Sequence, residues 1–593
     1  MVSDWSQKGR RWLMESTELP LTLLAGVVGI FSGLAAVVFR GLIGLFHNLF
    51  FFGRFSFAYD ATAYTAVSSW GAGVILVPVI GAVLVAFLVK NFAPEAKGHG
   101  VPEVMDAIYY QKSIIRPVVA LVKSLASAIS IGSGGSIGRE GPIIQIGSAL
   151  GSAIGQILRL PSWQRYTLIA AGAGSGIAAT FNTPIGGLLF TIELILPEIS
   201  ARTLIPVSIA TGAGTFCARL FFGEVPAFVI PSLVLPLAHK TTLGEFVAYV
   251  ILGHILGLVA AIYIWSIYRF EDFFDGMPGN YYTRHMSGML VVGLMMYFSM
   301  RFFGHYYIEG VGYATVQDIL ATTLNHPYFL LLLLFAKLLS TSLTLGSGAS
   351  GGVFSPSLFM GATLGAGYCL LLNDWFPLLN LDVQGIAVVG MAAMVGGATG
   401  AVMTAVVMIF EMTRDYNVII PLMITVSITY GIRRLLFSES IYTMKLSRRG
   451  HRIPQSLQTS WCVSRTAEDI AMAPILFAGN DDDLAGLRKR LEKSNEQPYV
   501  LVLRDKEIEK VLKPTKTGAD GRFELTEVRF LVAPANDMLL DLLARLEAAG
   551  VDVAVVTSPG GMAGPADVLG VLAHNEIVKG FQNPQDEFNH TAA

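Results

Sequence analysis

The chain is 593 residues long, 53% hydrophobic and only 14% charged, a composition that points to a membrane protein and excludes one that is globular throughout. A net charge of −2 with no basic stripe gives no nucleic-acid partner, and three isolated cysteines, Cys217, Cys369 and Cys462, make neither a disulfide framework nor a metal site. Residues 451–593 hold 15 Lys and Arg and 21 Asp and Glu, against 26 and 22 in the first 450, so a greasy front is joined to a soluble back.

Lys8, Arg10 and Arg11 precede the first apolar run. That run starts at Leu19 and is long enough to span, so it reads as an anchor rather than a removed signal peptide. Arg433, Arg434, Lys445, Arg448, Arg449 and Arg452 follow the last apolar runs, and the positive-inside rule then places both termini of residues 1–593 in the cytoplasm, with the chain multi-pass in the cell membrane. Runs at 21–52, 70–92, 243–268, 285–303 and 327–346 approach or exceed the ~20 residues a spanning helix needs. The stretches at 142–158, 184–196, 356–372 and 399–411 are short and interrupted by Gly and Pro, which predicts broken or tilted helices meeting around a protein-walled cavity.

Sliding residues 123–151 forward by 214 places Lys123 on Lys337, Gly132-Ser133-Gly134 on Gly346-Ser347-Gly348, Gly138 on Gly352, Pro142 on Pro356 and Gly147 on Gly361. Identities in step at one offset predict two homologous halves, 21–225 and 243–447, with the substrate site at their interface. The halves share a motif. Gly98-His99-Gly100-Val101-Pro102, Gly138-Arg139-Glu140-Gly141-Pro142 and Gly352-Val353-Phe354-Ser355-Pro356 are each Gly-x-x-x-Pro ahead of a helix pattern. Three converging helix N-termini, each contributing roughly 0.3–1 kcal/mol, can together hold an anion at membrane depth. The competing reading is that such glycines only let helices pack closely and the prolines only start them. Glu140, just ahead of the helix that Pro142 opens, then reads as a carboxylate that mimics the anion, in a bilayer that penalises each ionised side chain by roughly 2.5–3.5 kcal/mol.

These motifs, with Phe181-Asn182-Thr183-Pro184 leading to Glu193, Glu411-Met412-Thr413 and Ile441-Tyr442, resemble the CLC family of chloride channels and proton/chloride antiporters over about residues 20–447. The resemblance implies an all-α polytopic domain over 19–447 built of two inverted repeats with broken helices, working as a homodimer in the bilayer with one pore per subunit. It implies that Glu140 gates the pore, that the anion is bound around Gly98, His99, Gly100, Gly138, Arg139, Gly141, Val353, Phe354 and Tyr442, and that chloride or a similar anion is the cargo. Two positions depart from the pattern. His99 stands where serine is usual and either coordinates the anion or swings aside as a spacer. Leu194 stands where many antiporters carry a proton-relaying glutamate and cannot carry a proton, which favours a gated chloride channel, with a chloride/proton antiporter as the nearest alternative and a transport-inactive membrane sensor as the alternative of another class. Glu193 and Glu411 read as caps on nearby loop amides, and His254 as a packed side chain.

Residues 448–460 read as a linker and 588–593 as a tail end. Between them, 461–587 resembles an α+β pair of CBS modules in the cytoplasm. There, 485–491 with 499–503 and 539–548 with 551–556 each read as helix then strand, and residues 570–576 echo a turn that holds nucleotide ribose in that family. Ala573 and Glu576 replace the usual hydroxyl and aspartate, so an adenine nucleotide and a purely dimerising tail both remain open. With no Ser/His/Asp set, Walker loop or His/Glu metal pattern, no enzyme, metal or other cofactor is expected.

Overall fold

The computed structural model describes residues 19–197, 199–224, 228, 243–451 and 453, and in the tail 466–467, 470, 472–479, 490–491, 498–504, 507–517, 522–558, 565 and 567–577. The expected segment 1–18 with its three basic residues, Arg452, Cys462, most of the linker and the end at 588–593 lie outside the described residues. Contacts divide the chain between 453 and 454 into two units.

The first unit is helical, and its order repeats. One half runs α1 (Leu19–Phe52), α2 (Val77–Phe92), α3 (Val101–Tyr109), α4 (Val118–Gly132), α5 (Glu140–Ile157), α6 (Ser162–Phe181), α7 (Pro184–Leu194) and α8 (Ala201–Phe222). The other runs α9 (Leu243–Asp275), α10 (Tyr281–Phe303), α11 (Tyr313–Leu320), α12 (Pro327–Ser347), α13 (Phe354–Trp375), α14 (Val383–Thr399), α15 (Val402–Thr413) and α16 (Ile419–Leu436), after which a short α17 (Thr443–Arg448) follows. Packing repeats as well: α5 lies on α6 as α13 lies on α14, and α1 on α8 as α9 on α16. Proline opens α2, α3, α7 and α12, where its missing N–H costs nothing, and the Asp382 carboxylate accepts from the Gln384 and Gly385 amides at the start of α14.

Among the described residues, eight helical stretches are long and apolar enough to cross a membrane. They include the five runs named above, two further stretches at 201–222 and 416–436, and 354–375, which was expected to be too short. The 354–375 helix looked too short because glycines interrupt its apolar run, yet Gly361 marks a crossing and not a break. A Cβ there would stand 2.2 Å from the Gly390 carbonyl oxygen, and one on Gly147 would stand 2.1 Å from that of Gly172, so both halves bring two backbones together through paired glycines.

Buried polar groups recur at matching places in the two halves. Buried Lys123 on α4 donates from Nζ to the carbonyls of Ala96 (3.0 Å) and Gly98 (2.7 Å). Buried Lys337 on α12 does the same for Ile308 (3.0 Å) and Gly310 (2.8 Å). At the far end of each half a glutamate crosses over. Glu193, on α7, accepts from the amides of Met403 (2.8 Å) and Thr404 (2.7 Å) at the start of α15, while Glu411, on α15, accepts from those of Ile185 (3.1 Å) and Gly186 (2.7 Å) at the start of α7. Each carboxylate satisfies N–H groups that a helix leaves orphaned, at the end where the dipole favours negative charge.

The second unit is α+β. β1 (Ile475–Gly479) pairs parallel with β2 (Tyr499–Arg504), which continues antiparallel through β3 (Glu507–Thr517) and β4 (Arg522–Val528). β5 (Phe530–Pro534) is joined by α18 (Leu539–Ala549) to a parallel β6 (Val553–Thr557), and β7 (Val568–Ala573) closes that sheet antiparallel. Leu542 and Leu546 of α18 pack with Ala554, Val556 and Leu572. The expected helix at 539–548 and strand at 551–556 thus form within a residue or two of their predicted bounds. Of the expected helix 485–491 only Arg490 and Leu491 are described, and they are helical. The β3–β4 hairpin was not anticipated, since its Lys- and Glu-rich strands carry little apolar alternation.

Candidate anion site

Three loops meet where the two halves face each other. The Gly98 N–H donates to the Ala349 carbonyl (2.9 Å), the Gly351 N–H donates to the Gly98 carbonyl (3.2 Å), and Gly138 and Gly352 exchange both backbone bonds at 2.7 Å. Gly98 and Gly100 hold φ of +82° and +90°, which side chains resist, and a Cβ on Gly141 would stand 2.1 Å from the His99 carbonyl oxygen. The glycines of the Gly-x-x-x-Pro motifs therefore serve backbone approach, which was the competing reading of these motifs.

Glu140 is the first residue of α5 and is fully buried. Sequence reasoning put it just ahead of the helix; Arg139 takes that capping place instead. The Glu140 carboxylate accepts from the Tyr313 hydroxyl (2.5 Å), from the Ser355 hydroxyl (2.6 Å to either oxygen) and from the Ser355 amide (3.3 Å). Tyr313 and Ser355 also bond each other through their hydroxyls at 2.9 Å. Ser355 lies in the first turn of α13, so the carboxylate of one half sits on the free N–H end of a helix from the other. The residues expected to hold an anion there, Val353 and Phe354, are buried beside it, but the amide that reaches Glu140 is that of Ser355. Val353 caps α13, Phe354 opens it and Ser355 follows, so the Ser355 amide is one of several free N–H groups there and is the one within reach of the carboxylate.

Arg139 does not form a tight pair with Glu140. Its Nε is 4.0 Å from Glu140 Oε1 and has no hydrogen-bond partner, and its guanidinium lies 5.2 Å from the centre of the Tyr313 ring. His99 is buried with Nδ1 unpartnered and its ring edge-on to Tyr268 at 6.3 Å. The Tyr268 hydroxyl in turn donates to the Ile441 carbonyl (2.6 Å), next to buried Tyr442 at the start of α17. Leu194 ends α7 half-buried among apolar neighbours, and the adjacent Glu193 is taken up by α15. In the tail, Glu576 Oε2 accepts from the Ala573 amide (3.1 Å), which leaves that carboxylate less free for a ribose.

Below the Gly98 loop, Glu103 of α3 receives Arg449 through two bonds (2.7 and 2.9 Å) and lies 3.3 Å from Lys445, which fastens α17 against α3. Burial alone would raise the Glu103 carboxyl, but Lys445 and Arg449 bring it from the ordinary 4.5 down to about 2.

Tyr313 and Ser355 were not among the expected site residues. Tyr313 sits where no Gly-x-x-x-Pro motif marks it, but a signal was present: at an offset of 212, Gly98, Gly100, Val104 and Asp106 recur as Gly310, Gly312, Val316 and Asp318, so residues 310–313 are the second half's copy of the first loop.

The family model described as voltage gated chloride channel matches residues 81–434. The chain belongs to this family, the CLC proteins. The H(+)/Cl(−) exchange transporter ClcA of Citrobacter koseri is 31% identical over 443 residues, covering 73% of this chain and 89% of its own. ClcA of Salmonella agona is 31% identical over 449 residues, covering 74% and 91%. Among solved structures, a slow cyanobacterial Cl−/H+ antiporter is similar with a TM-score of 0.61 at 22% identity, over 73% of this chain and 98% of that one. A eukaryotic CLC transporter is similar with a TM-score of 0.60 at 20% identity, over 94% and 98%. The protein is thus a multi-pass CLC membrane protein with the CLC fold, and chloride or a similar anion is its cargo.

Proposed function

We propose that this CLC protein is a chloride/proton exchanger gated by Glu140. The observation that carries the gate is the seat of the Glu140 carboxylate on the α13 N-terminus, held by the Ser355 amide and hydroxyl and by Tyr313. Two negative charges repel strongly in a poorly solvated site, so the carboxylate and an anion exclude each other there until the carboxylate moves away or takes up a proton. A group that competes with the anion as a charge and yields to it as an acid is what exchange requires. The channel expected from Leu194 gives way to its alternative because the relatives are named as exchangers and the solved neighbours as antiporters. His99, the Gly98–Gly100 and Gly138–Gly141 backbones, Val353, Phe354 and Tyr442 are proposed to line the anion path around that gate. Purified protein in vesicles, read simultaneously for chloride and pH, tests this. Chloride gradients should drive protons uphill in opposite sense; chloride flux with no proton movement returns the reading to a channel.

We also propose that the protein works as a homodimer in the cell membrane with both termini cytoplasmic, which particle mass in detergent and protease access in oriented vesicles decide. The tail is proposed to be a CBS pair; a raised melting temperature with millimolar ATP would assign it an adenine nucleotide, and no shift would leave it a dimerising element.

A further inference from the structure

Arg139 faces more than the gate. Beside it opens a cavity of ≈ 490 Å³ whose lining includes Arg40 of α1, Arg219 of α8, Asp60, Phe181 and Phe222. Three guanidinium groups thus border one space with a single carboxylate among those residues, and that carboxylate is engaged: Asp60 Oδ1 accepts from the amide (2.9 Å) and hydroxyl (2.7 Å) of Thr62. Arg219 is held in place by Nε donating to Asn182 Oδ1 (2.6 Å), and Arg40 lies over the Phe222 ring at 4.4 Å. Arg139 is the most buried of the three. It is only 8% exposed, its Nε is without a partner, and its ion pair with Glu140 is long at 4.0 Å. A buried guanidinium whose nearest carboxylate is this distant is costly unless a further anion offsets its charge.

The size of the cavity says which kind of anion. It falls in the range of small-molecule sites, roughly 300–1,000 Å³, and is far roomier than a single halide needs. Guanidinium forks match carboxylate and phosphate oxygens in pairs, while the partly exposed Phe222 suits an apolar body. We infer that this cavity is a binding site for a small polyatomic oxyanion, a carboxylate or phosphate, seated on Arg139 with Arg40 and Arg219 around it. An occupant there draws on the same guanidinium that faces Glu140 and obstructs the approach to the gate, so it acts as a blocker and not as cargo.

The test is isothermal titration of the full-length protein in detergent with sodium benzoate and, separately, with inorganic phosphate, at fixed low salt. Binding needs no transport, so this result stands or falls apart from the exchange assay. Saturable binding of either probe is expected; the tighter of the two identifies the ligand as an organic carboxylate or a phosphate. Arg40→Gln should weaken it by about tenfold or more, the loss expected for one charge-assisted contact. Asp60→Asn, which keeps the shape and an acceptor for Thr62 but removes the opposing charge, should tighten it. If Arg40→Gln does not fold, tightening by Asp60→Asn alone decides. No saturable heat with either probe up to tens of millimolar, or an affinity unmoved by the folded variants, overturns the assignment.

Discussion

In the first half residues 139–141 are Arg-Glu-Gly; at the matching places in the second half residues 353–355 are Val-Phe-Ser, and Tyr313 stands where the first half has Val101. Elsewhere the halves agree: Lys123 answers Lys337, Glu193 answers Glu411, and each pair makes the same kind of bond to the backbone. The agreement has a plain cause. Loop carbonyls and helix amides exist in both halves whatever the side chains are, and each buried set needs its own partner. A site at the interface needs the reverse, a carboxylate from one side and donors from the other. Two copies of Glu140 would repel, and two copies of Ser355 with Tyr313 would have nothing to hold.

That contrast can be broken at several points. The largest effect belongs to Glu140→Gln, which keeps the shape and removes the charge: proton movement in vesicles should fall to background while chloride flux persists, in a protein that still folds. If Glu140 were only a partner for Arg139, the variant would instead strand a buried cation and lose expression. Next come the scaffold pairs. Glu193→Ala and Glu411→Ala each free two helix N–H groups, at roughly 1–3 kcal/mol apiece where buried, so both should lower the melting temperature to a similar extent and leave the proton-to-chloride ratio unchanged. A changed ratio with unchanged stability in either variant would move that glutamate from the scaffold to the transport path.

Ser355→Ala and Tyr313→Phe probe the donor side. Each removes a hydroxyl bond to the carboxylate worth about 1.5–3 kcal/mol, enough for roughly a ten- to hundredfold shift in how readily Glu140 leaves its seat. Turnover should become less dependent on pH, more so in the double variant, with folding intact. The smallest effect is at Glu103. Its carboxyl titrates lower folded than unfolded, so its hold on α17 is complete above about 4.5 and is lost only as pH falls through about 2. Hydrogen exchange of residues 443–448 should therefore be flat from pH 8 to 5 apart from the intrinsic rate, and Glu103→Gln should raise it throughout.

The repeat, the broken helices and the buried carboxylate proposed as the gate were legible because each leaves a mark along the chain: an offset, a Gly-x-x-x-Pro spacing, a charge in an apolar stretch. Glycine misled at 354–375, where Gly361 looked like an interruption although it lets α13 cross α14. The tail hairpin at 507–528 was hidden because β3 is rich in Lys and Glu, carries Pro514 and sets Val511 and Leu512 side by side, which breaks the period-2 alternation of a strand.

By itself, then, the sequence determined that two homologous helical halves meet inside a membrane and that Glu140 stands at a helix start between them, since periodicity, glycine spacing and the cost of buried charge are all local properties. Which group holds that carboxylate was decided only by tertiary structure. Ser355 and Tyr313 lie 215 and 173 residues away, and nothing in their own neighbourhoods tells which amide or hydroxyl will face Glu140. The crossing of two antisymmetric halves sets that register, because it alone brings the open end of α13 against the first residue of α5.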